Sequence, residues 1–508
     1  MKKVLALILA LLISFLLFAE NTKTTKTDTL EQTNSDSTLE DLEADLFSAD
    51  SETLVTAEKA TKEKLTEDNV QLKASLDEAS LLLESKKLRI GGRLDSALTL
   101  NYLWQDPYSK QSDYIKAFTK PTKAVLETKL AAQLFFDARP NDKSKIYAKF
   151  DFGVPFEKEI GGLATARLPT LGKIEAPTVS YGVPNFKVRE LYADFSVKDI
   201  AFFRFGKHAV KWGTGYFYSP ADVLNISRID PQNPEAEREG ALSLRTHIII
   251  PKTQHNIWLY LLPPGKAEGF NPKYTEGAAK AELVLGDWEI GIGGFYRYKK
   301  APRLITSLSG NIANKLNVFA EAVFAWGSDY VYHKNDKHFT AYTQKNKPFF
   351  QATVGTSYTN SKSKSTIALQ YYYNGFGYKR PYTVLMPASN TYARLKDKES
   401  LSKDDSALLQ ASSTSLRDML TMTNLGQHYI ALSFTQAELG SDSVSLNFFQ
   451  QFGVSELEAL SAVTLNWNIY KPITMHTSLN FTYPLSKKSL STGSIGWNLG
   501  FTLGGGKF

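Results

Sequence analysis

The chain has 508 residues, no cysteine and a formal net charge of +7. Without cysteine there is no disulfide, no thiolate metal site, no cysteine nucleophile and no lipid attached through an N-terminal cysteine. Its 30 Phe, 25 Tyr and 7 Trp stand beside a mean hydropathy of −0.26. That value looks soluble, but it also arises when every second residue of many strands faces water.

Met1-Lys2-Lys3 is a short basic start, and Val4 to Phe18 is apolar apart from Ser14. With Leu17-Phe18-Ala19 as a passable cleavage site, residues 1–19 are expected to be a signal peptide. The apolar run is shorter than the ~20 residues of a spanning helix. Residues 20–55 are rich in Thr, Ser, Asp and Glu and are expected to form a disordered acidic leader. Residues 56–87 read as a helical, coiled-coil-like segment. Leu65, Leu72 and Ala79 form one seven-residue series, and Asn69, Leu76 and Leu83 the other. Such a seam would join copies of the chain as a homo-oligomer, or else be a solitary tether, since short helices need packing to persist. Residues 20–87 carry net −9, which leaves +14 on residues 88–508.

From Leu88 onward the period is two. Leu88, Ile90, Leu94, Leu98, Leu100, Tyr102 and Trp104 alternate with Arg93, Asp95, Thr99 and Asn101. Leu126, Leu130, Leu134 and Phe136 oppose Glu127, Lys129 and Gln133; Ile146, Ala148, Phe150 and Phe152 oppose Tyr147, Lys149 and Asp151. Further strands are expected near 187–198, 200–211, 239–250, 255–262, 276–286, 288–298, 302–311, 314–326, 348–359, 364–374, 426–437, 442–452, 456–469, 472–483 and 492–503. That makes 18. The brief connections 299–301 and 453–455 leave 16 as the alternative. Every connection longer than about seven residues follows an odd-numbered strand, and short turns follow the even ones, as in an outer-membrane barrel. The expected fold is therefore all-β: a transmembrane, antiparallel, up-and-down barrel over 88–508, preceded by a periplasmic segment. No later segment approaches a spanning helix, so strands must do the crossing.

By phase, Arg93, Lys129, Lys149, Arg204, His208, Arg245, His247, Lys280 and Arg297 point inward, with Asp95, Glu127, Asp151, Glu190, Asp194 and Glu282. In a dry core such charges would be untenable; in a hydrated bore they tune selectivity or pair across strands to fill the wall. The segment Gly206-Lys207-His208-Ala209-Val210-Lys211-Trp212-Gly213 leads into a loop dense in Gly, Pro, aromatic and charged residues, ending at Arg238-Glu239-Gly240. Tucked inward, that loop would narrow the bore through Trp212, Tyr216, Asp222, Asn225, Asp230 and Arg238. Loop 375–425 is the longest; Ser402-Lys403-Asp404-Asp405 starts a helix reaching Met419, placed to plug the mouth or to present a recognition surface. Phe508 follows Gly504-Gly505-Gly506-Lys507 and is out of phase with Trp497, Leu499 and Phe501, so it is either returned to phase by a bulge or a loose tail.

Over residues 200–245, the G-[KR]-x-x-x-x-W-G strand followed by a structured loop resembles bacterial outer-membrane porin-like families. The pattern is similar to large 18-stranded substrate porins and the alginate-exporter group, and the signal and Ser/Thr-rich leader are similar in style to spirochaete exported proteins. The resemblance implies outer-membrane localisation, solute passage with the third external loop as constriction, and assembly by the barrel-assembly machinery through the C-terminal strand.

No Gly-rich phosphate loop, H-E-x-x-H or G-x-S-x-G occurs. His333 and His338 lie five apart with no acidic companion at ligand spacing, and His476 and Ser478 are an ordinary two-apart pair on one strand face. No catalytic, metal or cofactor residues are assigned, and the scattered basic residues do not suit nucleic acid. The expected partners are membrane lipid and small polar solutes, with anions favoured by the net charge. The alternatives are a surface adhesin on a barrel pedestal and a fatty-acid-type transporter. For the latter, Asn233-Pro234-Glu235 and Asn271-Pro272-Lys273 fall inside loops and do not supply the hatch signature.

Overall fold

The structure is a computed structural model. It describes residues 81–504, apart from 86–87, 104–122, 142, 154–184, 199, 266–268, 314, 397, 399, 423, 471, 487 and 490–492. Of the two units into which the chain divides, Met1–Glu63 and Lys64–Phe508, only the second contains described residues. The expected signal peptide, acidic leader and residues 56–80 of the helical segment therefore lie outside them, as do the loop around 105–121, most of 154–186, and Phe508.

Leu81–Ser85 is β1 and Leu88–Leu103 is β2. β3 (Lys123–Asn141), β4 (Ser144–Gly153), β5 (Asn185–Val197), β6 (Ala201–Lys207), β7 (Leu242–Ile249), β8 (Asn256–Leu262), β9 (Glu276–Leu285), β10 (Trp288–Tyr296), β11 (Arg303–Ile312) and β12 (Leu316–Trp326) follow. A small hairpin, β13 (Val331–His333) with β14 (Ala341–Thr343), stands outside the main sheet. The sheet resumes with β15 (Pro348–Asn360) and β16 (Ser365–Asn374), is interrupted by α1 (Tyr382–Leu395) and α2 (Lys403–Leu420), and ends with β17 (His428–Gln436), β18 (Val444–Gly453), β19 (Glu458–Tyr470), β20 (Ile473–Pro484) and β21 (Ser494–Leu503).

Each strand from β2 onward pairs antiparallel with the next in the main sheet, and β21 pairs back onto β2 from Leu94↔Leu503 to Leu103↔Ser494. The sheet is thus a closed barrel of 18 strands, with no free edge. Both brief connections that kept 16 strands open are real hairpins: β10 pairs β11 and β18 pairs β19. Gly286, at φ 62°, supplies the left-handed backbone of the two-residue link from β9 to β10.

One face of each strand is apolar and exposed: Phe136, Ile146, Leu261, Ile292, Phe324 and Leu479 are examples. Leaving each such side chain in water forfeits about 1.5–3 kcal/mol relative to burial. A skin this extensive on a closed, even-stranded barrel is the lipid-facing surface of an outer-membrane protein. The opposite phase turns inward and is polar or aromatic, with aliphatic positions such as Ile305, Val323 and Ala325 where loops pack on it.

β1 corrects one expectation. The helical pattern was read through 87, but Leu81–Ser85 is extended and pairs with Leu88–Gly91 of β2. β21 leaves β2 at Leu94, so the continuation of β2 would be a bare edge there; β1 covers it. The helix beginning after Ser402 forms as expected, with the Ser402 hydroxyl capping Asp405 N–H at 3.1 Å. α1, with Pro387 inside it, was not anticipated.

Candidate functional site

The connection between β6 and β7, residues 208–241, turns inward and is bound to the inner wall on several sides. At its start Trp212 is 2% exposed and meets Tyr260 of β8 edge-on, ring centroids 5.1 Å apart. Lys280 of β9 donates to the Trp212 carbonyl at 3.1 Å. Three strands farther along the wall, Glu321 of β12 accepts from Gly215 N–H at 2.5 Å, Ala221 N–H at 3.0 Å and the Ser219 hydroxyl at 2.9 Å. Farther round, Gln370 of β16 accepts from Phe217 N–H at 2.6 Å and donates to the Tyr218 carbonyl at 2.6 Å. Tyr218 stacks on Tyr372 at 5.0 Å, and Phe217 meets Phe449 of β18 at 5.5 Å.

Glycine is required where the loop meets Glu321. A Cβ on Gly213 would lie 2.1 Å from Ser219 Oγ, and one on Gly215 would lie 2.0 Å from the Tyr218 carbonyl. The W-G-T-G run is therefore a close-approach device. Asn225 ties the two legs of the loop together: its carbonyl accepts from Val210 N–H at 2.8 Å, and its amide donates to Asp222 at 2.8 Å. Arg238 pairs with Asp222. Burial pushes the Asp222 carboxyl above its ordinary range, against the pull of Arg238 and Asn225. Tyr216 is half-buried beside Phe217, and burial raises its phenol. Asp230 is exposed and caps a local turn by accepting from Gln232 N–H at 3.0 Å. Three of the six residues expected in a constriction, Asp222, Asn225 and Arg238, thus act within the loop's own scaffold, and Trp212 fixes the loop to the wall.

The return leg meets the charged wall of β3 to β6. Lys149 donates to Glu237 at 2.9 Å, and Gln133 joins Glu237 to Asp151. Lys207 donates to Glu239 at 2.7 Å, and Lys187 pairs with the same carboxylate. Burial alone would raise Glu237 and Glu239. The lysines, with Gln133 on Glu237, outweigh it and hold both carboxyls below the usual range.

Most of the other residues read as inward by phase also meet inward partners. Arg204 forms a two-pronged pair with Asp194 at 2.7 and 3.0 Å and lies 4.1 Å from the Tyr192 ring centroid. Lys280 pairs with Glu282 at 2.5 Å, Arg297 with Glu276 at 2.7 Å and Arg93 with Asp95 at 2.9 Å. Glu190 accepts from Ala209 N–H at 3.3 Å. His247 stacks on Trp258 at 3.7 Å, Arg245 lies 5.5 Å from the same ring, and His208 sits against the Gly206 carbonyl at 3.1 Å. Lys149, Arg204, His208, Arg245, His247 and Lys280 are buried, so they brace the wall and the loop rather than bathing in the bore; Lys129 is exposed. The Glu127 side chain lies outside the described ones.

The sequence reading missed Glu321, Gln370, Glu237 and Glu239. The two strand residues carry a faint signal, a single polar side chain at an inward position flanked by apolar ones. The loop glutamates carry none, because their lysine partners lie 88 and 32 residues away.

Above the loop, α1, α2 and β13–β14 form a second inward mass. Leu385, Ala388, Leu416, Met419, Tyr332 and Phe376 pack on Ala325 and Phe349, inward positions at the loop end of β12 and β15. His333 is part of this scaffold: its ring nitrogens face the Phe339 carbonyl at 2.8 Å and Asp418 at 3.0 Å. His476 contacts Asn466 and Thr502 rather than Ser478.

No protein-family model matches the sequence, and no curated protein does either. Among solved structures, OccK8 (OprE) of Pseudomonas aeruginosa is similar at 10% identity, with a TM-score of 0.45, over 81% of this chain and 97% of that one. OpdQ of the same organism is similar at 8% identity, TM-score 0.44, over 82% and 97%. A mutant of the Rhodopseudomonas blastica porin is similar at 8% identity, TM-score 0.36, over 82% and 99%. At that level of superposition, nothing about this chain's solutes or assembly follows from theirs.

Proposed function

We propose that this barrel is a channel for small polar solutes, narrowed by the loop 208–241 and with a modest preference for anions. The observation that carries the reading is the attachment of that loop across the interior. Hydrogen bonds to Glu321 and Gln370 on one side, and ion pairs through Glu237 and Glu239 on the other, stretch it between opposite parts of the wall. A loop that only needed covering would not require polar anchors on so many strands. The anion preference is supported by the +14 on residues 88–508. It is kept modest because most inward arginines and lysines face a carboxylate. Planar bilayers test both parts. Folded protein should give stable open-channel conductance, with a reversal potential displaced toward the anion in a salt gradient. Silence in correctly folded protein would overturn the channel reading, and a reversal potential on the cation side would overturn the selectivity.

A further inference from the structure

A hollow of about 570 Å³ lies at the loop end of β7 to β11. Its floor is made of small residues in register: Gly277 faces both Leu261 and Tyr296, and Ala279 faces both Leu259 and Gly294. These belong to the outward phase; Leu261 and Tyr296 are 53% and 58% exposed. The inward residues between them, Tyr260 and Ala278, are buried with Trp212 and Val210 of the inward loop. The hollow therefore opens on the lipid side of the wall. Nothing stands within 4 Å of where a Gly277 side chain would begin, and only the Arg303 carbonyl stands near that of Gly294.

Directly above are the β8–β9 and β10–β11 connections. Lys273 Nζ lies 4.0 Å from the Tyr298 ring centroid and Lys299 Nζ 5.8 Å, with Tyr274 5.6 Å away on the same ring. Lys300 is exposed beside them, and Phe270 projects from the neighbouring loop at 67% exposure. The adjacent carboxylates are engaged elsewhere, Glu276 by Arg297 and Asp329 by Arg303. Among the described residues, none of the three lysines has a carboxylate partner.

We infer that this place is a seat for one anionic lipid of the outer leaflet, with an acyl chain in the trough over Gly277, Ala279 and Gly294 and its headgroup phosphate on Lys273, Lys299 and Lys300. The chemistry divides as an amphiphile requires: an apolar trough within the hydrocarbon and clustered ammonium groups with aromatic rings at the headgroup level. Gaps between side chains in an otherwise filled apolar skin forfeit dispersion contacts unless something occupies them. The inference rests on the membrane placement of the barrel and not on its being a channel.

Native mass spectrometry of the full chain in detergent doped with phosphatidylglycerol, or with phosphatidylcholine of the same acyl chains, tests it. The wild type should retain one phosphatidylglycerol in preference to phosphatidylcholine. Lys273→Glu with Lys299→Glu and Lys300→Glu should lower that preference roughly tenfold or more. Gly277→Leu with Gly294→Leu should lose the retained lipid with all three lysines intact. Heat-modifiable mobility verifies that each variant is folded. Equal retention of the two lipids by the wild type, or an unchanged lipid count in the glycine variant, would overturn the seat. A barrel that keeps its lipid but passes no current would count against the channel alone.

Discussion

Glu321→Ala should release the inward loop while leaving the barrel closed. Glu321 is 3% exposed and accepts three donors from the loop, at 2.5, 2.9 and 3.0 Å. Hydrogen bonds to a charged group contribute about 1.5–3 kcal/mol each, and donors left buried without an acceptor are costly in their own right. Water entering the bore offsets part of that, so the low end, about 4.5 kcal/mol for three, is the working figure. At 1.4 kcal/mol per factor of ten, the balance between docked and released loop moves roughly a thousandfold. β12 itself keeps its full ladder to β11 and β15, so the sheet should persist. The assay is single-channel recording beside limited trypsin digestion of the same folded protein. Conductance should rise or flicker between two levels, and cleavage should appear after Arg228 or Arg238 in the loop. A folded variant with wild-type conductance, wild-type noise and an uncut loop would refute the assignment of Glu321 as the anchor.

Two further outcomes follow from the ion pairs. Glu237 and Glu239 titrate below the ordinary glutamate value, so the stability they lend is fully present above about pH 4.5 and is lost as pH falls through their lowered values. The loop's return leg should therefore loosen only in acid, seen as a change in open-channel noise below pH 4.5 and none attributable to these pairs between pH 6 and 8. Arg204→Met leaves Asp194 without its two-pronged partner and should lower barrel stability by about 3 kcal/mol, since Asp194 keeps some contact with water. The measurement is the temperature at which the folded gel band converts to the unfolded one, and adding Asp194→Asn should return part of the loss.

The barrel was legible because its signal is local. Alternation such as Leu94/Asp95 or Ile146/Tyr147 is enforced by the pleat itself, and lipid outside with a polar interior keeps the two faces chemically distinct along every strand. Loop length was legible for the same reason, since hairpin ends alternate between the two rims. The anchoring of loop 208–241 was not, because its contacts, Gly215 to Glu321 and Phe217 to Gln370, join residues more than a hundred positions apart. Phase could say that His208 and Lys280 turn inward. It could not say that a loop would come to lie on them and bury them, since that depends on what else enters the barrel. β1 was lost to the opposite error: a seven-residue pattern carried through Leu83 when the unpaired continuation of β2 offered a stronger partner.

Charge in this interior is organised by pairing more than by excess, and this bears on the proposed selectivity. A close pair such as Arg204 with Asp194 is nearly neutral seen from a passing ion several ångströms away, so a count of inward arginines overstates the field. What survives at the axis is the net imbalance of the wall rather than a count of its cations; even the exposed Lys187 is paired with Glu239. Next to the charged wall of β3 to β6, with β2 between them, β18 to β21 present neutral hydrogen-bonding side chains: Asn447 with Thr435, Asn466 with Ser445, and His476 with Thr502. The inner wall thus runs from an arc of paired charges to an arc of neutral hydrogen-bonding groups. Screening over roughly 10 Å at 0.1 M salt confines any attraction to solutes already beside the charged wall. The proposed anion preference should accordingly weaken with ionic strength while the flux of small neutral solutes, read by liposome swelling, does not, because hydrogen bonding along the neutral wall is nearly indifferent to salt.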